Sequence, residues 1–158
     1  MTVHLPGPLQ ALARALTDAV QAAAGADAAG FDDATGRLTR YDPDHVRRLL
    51  SAVLRPLLED SHPEGVDGDD LVAVLEDCSR ATVTWWPRVE PVALAVVLTG
   101  AFGIQVAARE ELPVRLDDAD VTRHAVLLAD HLLRAAGRPL RPLLDAGFAE
   151  LAREDGFD

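Results

Sequence analysis

The sequence contains no lysine and no asparagine, and its fifteen basic residues are all arginine. Without lysine, the chain has no Walker A motif, no lysine to form a Schiff base with pyridoxal phosphate and no lysine general base. Without asparagine, it has no N-glycosylation site. The absence of lysine therefore excludes several classes of enzyme before any motif is considered, and the absence of asparagine excludes one modification.

Cysteine, aromatic residues and positive charge are also scarce. The single cysteine, Cys78, cannot form an internal disulfide or a zinc site of cysteines, so we expect a reducing cytoplasm as the location. Aromatic residues make up 4% of the chain, and the net charge is −11 with a pI near 4.7. Such an acidic chain lacks the basic surface that nucleic acids and anionic membranes require. We expect neither as a partner, and no motif implies a cofactor.

The residues that remain are strong helix formers. Hydrophobic residues make up 49% of the chain, chiefly alanine, leucine and valine, and the types that favour strands are few. A chain of 158 residues is long enough for one well-buried core. The composition therefore predicts a single all-α domain over residues 1–158.

Residues 91–108 (PVALAVVLTGAFGIQVAA) contain no charged side chain. Apolar residues fall on every side of the helix that this segment predicts, which is typical of a buried helix. Thr99, Gly100 and Gln105, together with the lack of a flanking basic cluster, favour a core position over a membrane span. We therefore predict a central helix over about 90–110.

The other apolar segments are amphipathic and predict helices that surround this central one, giving a bundle of about six. Asp42, Asp67 or Asp69, and Asp117 are expected to cap three of them, and Gly137 to end another. Residues 25–41 hold three glycines and several acids. This composition predicts a long loop over 25–41.

Asp120, His124 and His131 form the best candidate for chemistry. Steps of four and seven residues place them on one stripe of a predicted helix. One carboxylate and two imidazoles can bind a metal ion or act as an acid–base pair. The alternative is structural, with Asp120 near the helix start and the histidines at the edge of the core.

Trp85, Trp86 and Arg88 form a second candidate, a contact for a ligand or a partner protein, because tryptophan is enriched at interface hot spots. Packing against the central helix is the alternative. Two arginine clusters are anion-site candidates, with ion pairing and helix ends as their alternatives. The clusters are Arg37, Arg40, Arg47, Arg48 and Arg55, and Arg134, Arg138 and Arg141.

The sequence leaves three functional hypotheses. The first is a non-enzymatic interaction or regulatory module, which can self-associate through the small-residue stripe Ala93, Gly100 and Ala107. The second is a helical receptor that binds an apolar small molecule in its interior. The third is a metal-assisted enzyme that uses the Asp120, His124 and His131 stripe. The absence of catalytic motifs favours the first.

Overall fold

The computed structural model describes residues 7–102 and 115–154, and this part of the chain is an all-α single domain of seven helices without a strand. The helices are α1 (Gly7–Ala24), α2 (Ala28–Leu38), α3 (Pro43–Ser61), α4 (Gly68–Val83), α5 (Pro91–Ala101), α6 (Asp118–Ala136) and α7 (Leu140–Glu154). The predicted fold class is confirmed.

Short-range capping defines the ends of the helices as predicted. Asp67 and Asp70 form a capping box at the start of α4, with hydrogen bonds of 2.9 and 3.0 Å. Asp117 and Asp120 do the same for α6, at 2.7 and 3.1 Å. Gly137 ends α6 with a φ of +63°, a conformation that glycine adopts without steric cost. These caps satisfy backbone groups that a helix end leaves unpaired.

The long loop predicted over 25–41 is wrong, because most of this segment is helix α2. The carboxylate of Asp27 accepts a hydrogen bond of 3.0 Å from the Gly30 N–H and caps the helix. Phe31 and Leu38 then lie on a fully buried face that packs against α1 and α6. The burial of this face outweighs the low helix propensity of the two glycines within α2.

The centre of the bundle is formed by α3 and α6. Helix α3 packs against α5, α6 and α7, and α6 packs against α1, α2, α3, α4 and α5. The described part of the predicted central helix is α5, which buries Ala93, Leu94 and Leu98 but leaves Val92 and Val96 half-buried. Helix α5 therefore packs on the centre from one side. Residues 103–110 of that prediction lie outside the described residues.

Helix α5 also carries the start of the small-residue stripe. Ala93 is fully buried in the core, whereas a Cβ atom added at Gly100 would meet nothing within 4 Å. Ala107 lies outside the described residues. None of the helices in residues 7–102 and 115–154 is both long enough and apolar enough to cross a membrane.

Candidate functional site

Trp86 is an internal anchor between three parts of the fold. Its side chain is 4% exposed, and its ring centroid lies 5.3 Å from that of Phe31 on α2 and 5.6 Å from that of His124 on α6. The indole N–H donates a hydrogen bond of 3.2 Å to the carboxylate of Asp32. Aromatic edge-to-face contacts and a satisfied indole N–H stabilise the turn between α4 and α5 against the core.

His124 uses both ring nitrogens in bonds to the backbone. Its Nε2 accepts a hydrogen bond of 2.9 Å from the Glu90 N–H, and its Nδ1 lies 2.6 Å from the carbonyl oxygen of Asp120. A backbone N–H only donates and a carbonyl only accepts, so the ring is neutral with its proton on Nδ1. Burial lowers the pKa of His124 below its ordinary value, despite the neighbouring acids. Neither nitrogen is available to a metal ion in this arrangement.

The two other members of the predicted metal stripe have different environments. The carboxylate of Asp120 accepts the Asp117 N–H in the α6 cap and lies 3.5 Å from the guanidinium of Arg123. His131 is half-buried, and burial, followed by the charge of Arg134, lowers its pKa. Within residues 7–102 and 115–154, no group of three or more His, Cys, Asp or Glu side chains is arranged to hold a metal ion.

The residues predicted to contact a ligand or a partner have different environments. Trp85 is half-buried, with its ring centroid 5.5 Å from that of Phe31. Arg88 is exposed, forms an ion pair with Asp32, and places its Cζ atom 4.8 Å from the centroid of the Trp86 ring. This position is a cation–π contact. Of the three predicted contact residues, Trp86 is the one that lies in the core.

Trp86 and Arg88 meet Asp120 and His124 at one surface recess of about 210 Å³ beside the N-terminal end of α6, whereas Trp85 and His131 do not line it. Arginines from two further positions also line the recess, and no sequence pattern connects them with these residues. Arg115 precedes α6 and Arg123 lies in its second turn, while Arg88 comes from the turn after α4. The aromatic and polar lining includes Trp86, Arg88, Arg115, Asp120, Arg123 and His124.

Seven of the eight arginines in the predicted clusters have internal contacts. Arg55 donates hydrogen bonds of 2.9 and 2.7 Å to the carbonyl oxygen of Ala101, at the C-terminal end of α5. Other members form ion pairs with acids on the same or neighbouring helices. These pairs are Arg37 with Asp18, Arg47 with Asp44, Arg48 with Glu154, Arg134 with Asp130, Arg138 with Asp60 and Arg141 with Asp145.

Cys78 is a buried thiol on the inner face of α4. Burial raises its pKa to about 11, and its Sγ atom lies 4.0 Å from the hydroxyl oxygen of Thr82. A thiol in such an apolar site is a poor nucleophile.

Asp130 on α6 is also buried, and burial raises its pKa although both carboxylate oxygens accept hydrogen bonds from Arg134.

The outer side of α4 carries exposed apolar side chains. Val72 is 52% exposed and Val83 is 46% exposed. At about 100° per residue, these two valines lie within about 20° of each other around the helix axis. The acidic side chains of Asp69 and Glu76 lie beside them and are also exposed. We call these four residues the α4 outer face.

Comparison of the chain with models of protein families, with curated proteins and with solved structures finds no match. Two structural features are therefore the candidates for function. One is the recess between the α4–α5 turn and α6, and the other is the α4 outer face.

Proposed function

We propose that this chain is a non-enzymatic interaction module that binds a partner protein through the α4 outer face. The observation that supports this proposal is the pair of exposed valines, Val72 and Val83, on one side of a peripheral helix. Helix α4 packs mainly against α5 and α6, and it fully buries only Cys78 and Thr82. Exposed apolar side chains bordered by charged residues are common in protein-binding surfaces.

The charge of the α4 outer face indicates the chemistry of the partner. Asp69 and Glu76 border the valines, Arg80 next to Val83 is paired with Asp77, and the whole chain has a net charge of −11. Two copies of such a face repel each other, whereas a helix with apolar residues flanked by lysine or arginine is attracted. We therefore propose a basic amphipathic segment of another protein as the partner, and treat self-association as a competing outcome.

The other two hypotheses have less support from the described residues. The metal-assisted enzyme requires Asp120, His124 and His131 to act together, but the first caps a helix and the second has both nitrogens bonded to the backbone. A receptor for an apolar molecule requires an apolar cavity. The cavity lined by apolar side chains of α3, α5 and α6 has a volume of about 40 Å³, which is room for a few water molecules.

We also propose that the module works in a reducing cytoplasm. The support is chemical, because the single cysteine is a free buried thiol. A reducing compartment is where a chain without disulfides is normally found.

Selection from a displayed random peptide library tests the partner proposal. The wild type is the target, and the binders are then measured against the double variant Val72→Asp/Val83→Asp. The control, Ala73→Asp/Ala81→Asp, adds the same charge at exposed positions elsewhere on α4. We expect helical peptides rich in leucine and arginine, whose affinity falls by about tenfold or more for the valine variant and not for the control.

General attraction between a basic peptide and an acidic protein would give a different result. Both double variants are more negative than the wild type, so they would then bind the peptides equally well or better. That result, or the absence of any enriched peptide, would contradict the proposal. A dimer in sedimentation velocity that Val72→Asp/Val83→Asp dissociates would identify a second copy as the occupant instead.

A further inference from the structure

We propose that the recess between the α4–α5 turn and α6 binds a small oxyanion, a carboxylate or a phosphate, through Arg115, Arg123 and Arg88. This site is separate from the α4 outer face, and its ligand is a small molecule instead of a protein. Three guanidinium groups from three separate segments line one recess of about 210 Å³ in a chain with a net charge of −11. Guanidinium forks match the geometry of carboxylate and phosphate oxygens.

The guanidinium group of Arg123 has few hydrogen bonds to the described residues. Its side chain is 23% exposed, and its Nη1 atom lies 3.5 Å from an oxygen of Asp120, at the outer limit of a hydrogen bond. Its Nε atom is buried without a hydrogen-bond partner among the residues that the structure describes. A partly desolvated guanidinium with weak internal bonds gains more from an added oxyanion than a fully paired one does.

Arg88 and Arg115 contribute in different ways. Arg88 is oriented by its ion pair with Asp32 and by its position over the Trp86 ring, so little side-chain freedom is left to lose when a ligand binds. Arg115 is exposed at the mouth of the recess, just before the first turn of α6. It has the freedom to close onto a ligand that Arg123 and Arg88 already hold.

The size and charge of the recess define the class of ligand. Glu90 and Asp120 also belong to the lining, and Asp32 pairs with Arg88, so the three guanidinium groups have three carboxylates near them. This balance suits an anion of low charge and disfavours a polyphosphate. The volume of about 210 Å³ is below the range typical of drug-sized ligands, which points to a small molecule with one oxyanion group.

Titration followed by NMR tests the site directly, because the chain has two indole N–H groups and Trp86 lines the recess. Sodium acetate and sodium phosphate are added separately at constant ionic strength, with chloride as the balancing anion. We expect a saturable shift of the Trp86 indole signal with one of the two probes, which identifies the ligand as a carboxylate or a phosphate. Trp85→Phe assigns the two signals.

Arg115→Ala and Arg123→Lys are the diagnostic variants. Arg115 is exposed, so its removal leaves the core intact, and lysine at 123 keeps the charge but loses the planar fork. We expect each to weaken binding by about tenfold or more, which corresponds to about 1.4 kcal/mol. Arg80→Ala is the matched control, because Arg80 pairs with Asp77 at the same i, i+3 spacing as Arg123 with Asp120.

Three results would overturn the proposal. One is a shift that stays linear for both probes. Another is a shift that chloride reproduces. The third is an affinity that Arg115→Ala and Arg123→Lys leave unchanged or that Arg80→Ala reduces equally.

Discussion

At the scale of single residues, the polar side chains that appear most reactive in the sequence serve the core. His124 links the start of α5 to the first turns of α6 through two backbone hydrogen bonds, and Trp86 links the α4–α5 turn to Asp32 on α2. A buried polar atom without a partner is costly, so each of these rings is retained with its hydrogen bonds satisfied. Both side chains therefore stabilise the packing of the helices.

The pH dependence of stability tests the role of His124. Its pKa is lowered in the folded state, so protonation favours the unfolded state. The stabilisation is present above the ordinary histidine pKa of 6.5 and is lost as the pH falls through the folded-state pKa. We expect His124→Gln to show a shallower fall in the free energy of unfolding below pH 6.5 than the wild type, measured by urea unfolding at a series of pH values.

Long-range ¹H–¹⁵N NMR of the imidazole supplies a second measurement on the same residue. The bonds to Glu90 and Asp120 require the proton on Nδ1 at neutral pH. A ring protonated on Nε2, or identical pH slopes for the two proteins, would contradict this account.

At the scale of helices, two glycines lie inside a helix that their presence argued against, and a third marks a close contact between helices. Gly30 and Gly36 suggested a loop, yet both lie in α2 because Asp27 caps the helix and Phe31 anchors it. In α7, Gly147 lies where the helix approaches α3. A Cβ atom there would lie 2.9 Å from Cδ1 of the fully buried Leu49.

Alanine substitutions at Gly36 and Gly147 should have opposite effects. A Cβ at Gly36 meets nothing within 4 Å, so Gly36→Ala should raise the free energy of unfolding by about 0.5–1 kcal/mol through helix propensity. Gly147→Ala should lower it by about 1–2 kcal/mol, because Leu49 is enclosed and Ala52 lies 3.4 Å away. Urea unfolding measures both. Stabilisation by Gly147→Ala would show that α3 and α7 approach less closely.

At the scale of the whole molecule, α3 and α6 form the centre and α4 lies at the edge. Cys78 lies on the inner side of α4 and is buried where this helix packs against α5 and α6. The outer side of α4 carries the exposed valines. The same helix therefore protects the single thiol and provides the proposed partner surface. The reactivity of Cys78 reports how firmly α4 is held.

Cys78 should resist modification until the protein unfolds. With a pKa of about 11, the thiol is almost fully protonated at pH 8, and the packing of α4 blocks access to it. We expect its reaction with a disulfide reagent such as DTNB at pH 8 to be slower in the native protein than in urea by on the order of 100-fold. The urea dependence of the reaction should follow unfolding by circular dichroism. Rapid reaction without urea would mean that α4 opens independently of the core.

Features that depend on neighbours within about one helical turn can be predicted from the chain alone. These are the all-α class, the aspartate caps at Asp42 and Asp117, and the helix end at Gly137, whereas the choice of Asp67 over Asp69 came from the structure. Capping and amphipathic periodicity act over three or four residues, so they can be read directly from the chain. The sequence also pointed to Trp86 and His124 as candidate site residues, but it did not show that their rings are in contact.

The other features depend on tertiary contacts, which join residues that are distant in the chain. The helical state of 28–38 depends on burying Phe31 among α1, the tryptophans and α6. The neutral state of His124 depends on the Glu90 N–H, 34 residues away. The recess depends on Arg88, Arg115 and Arg123 approaching one another from separate segments. No local pattern encodes such an approach, since it follows from how whole helices pack.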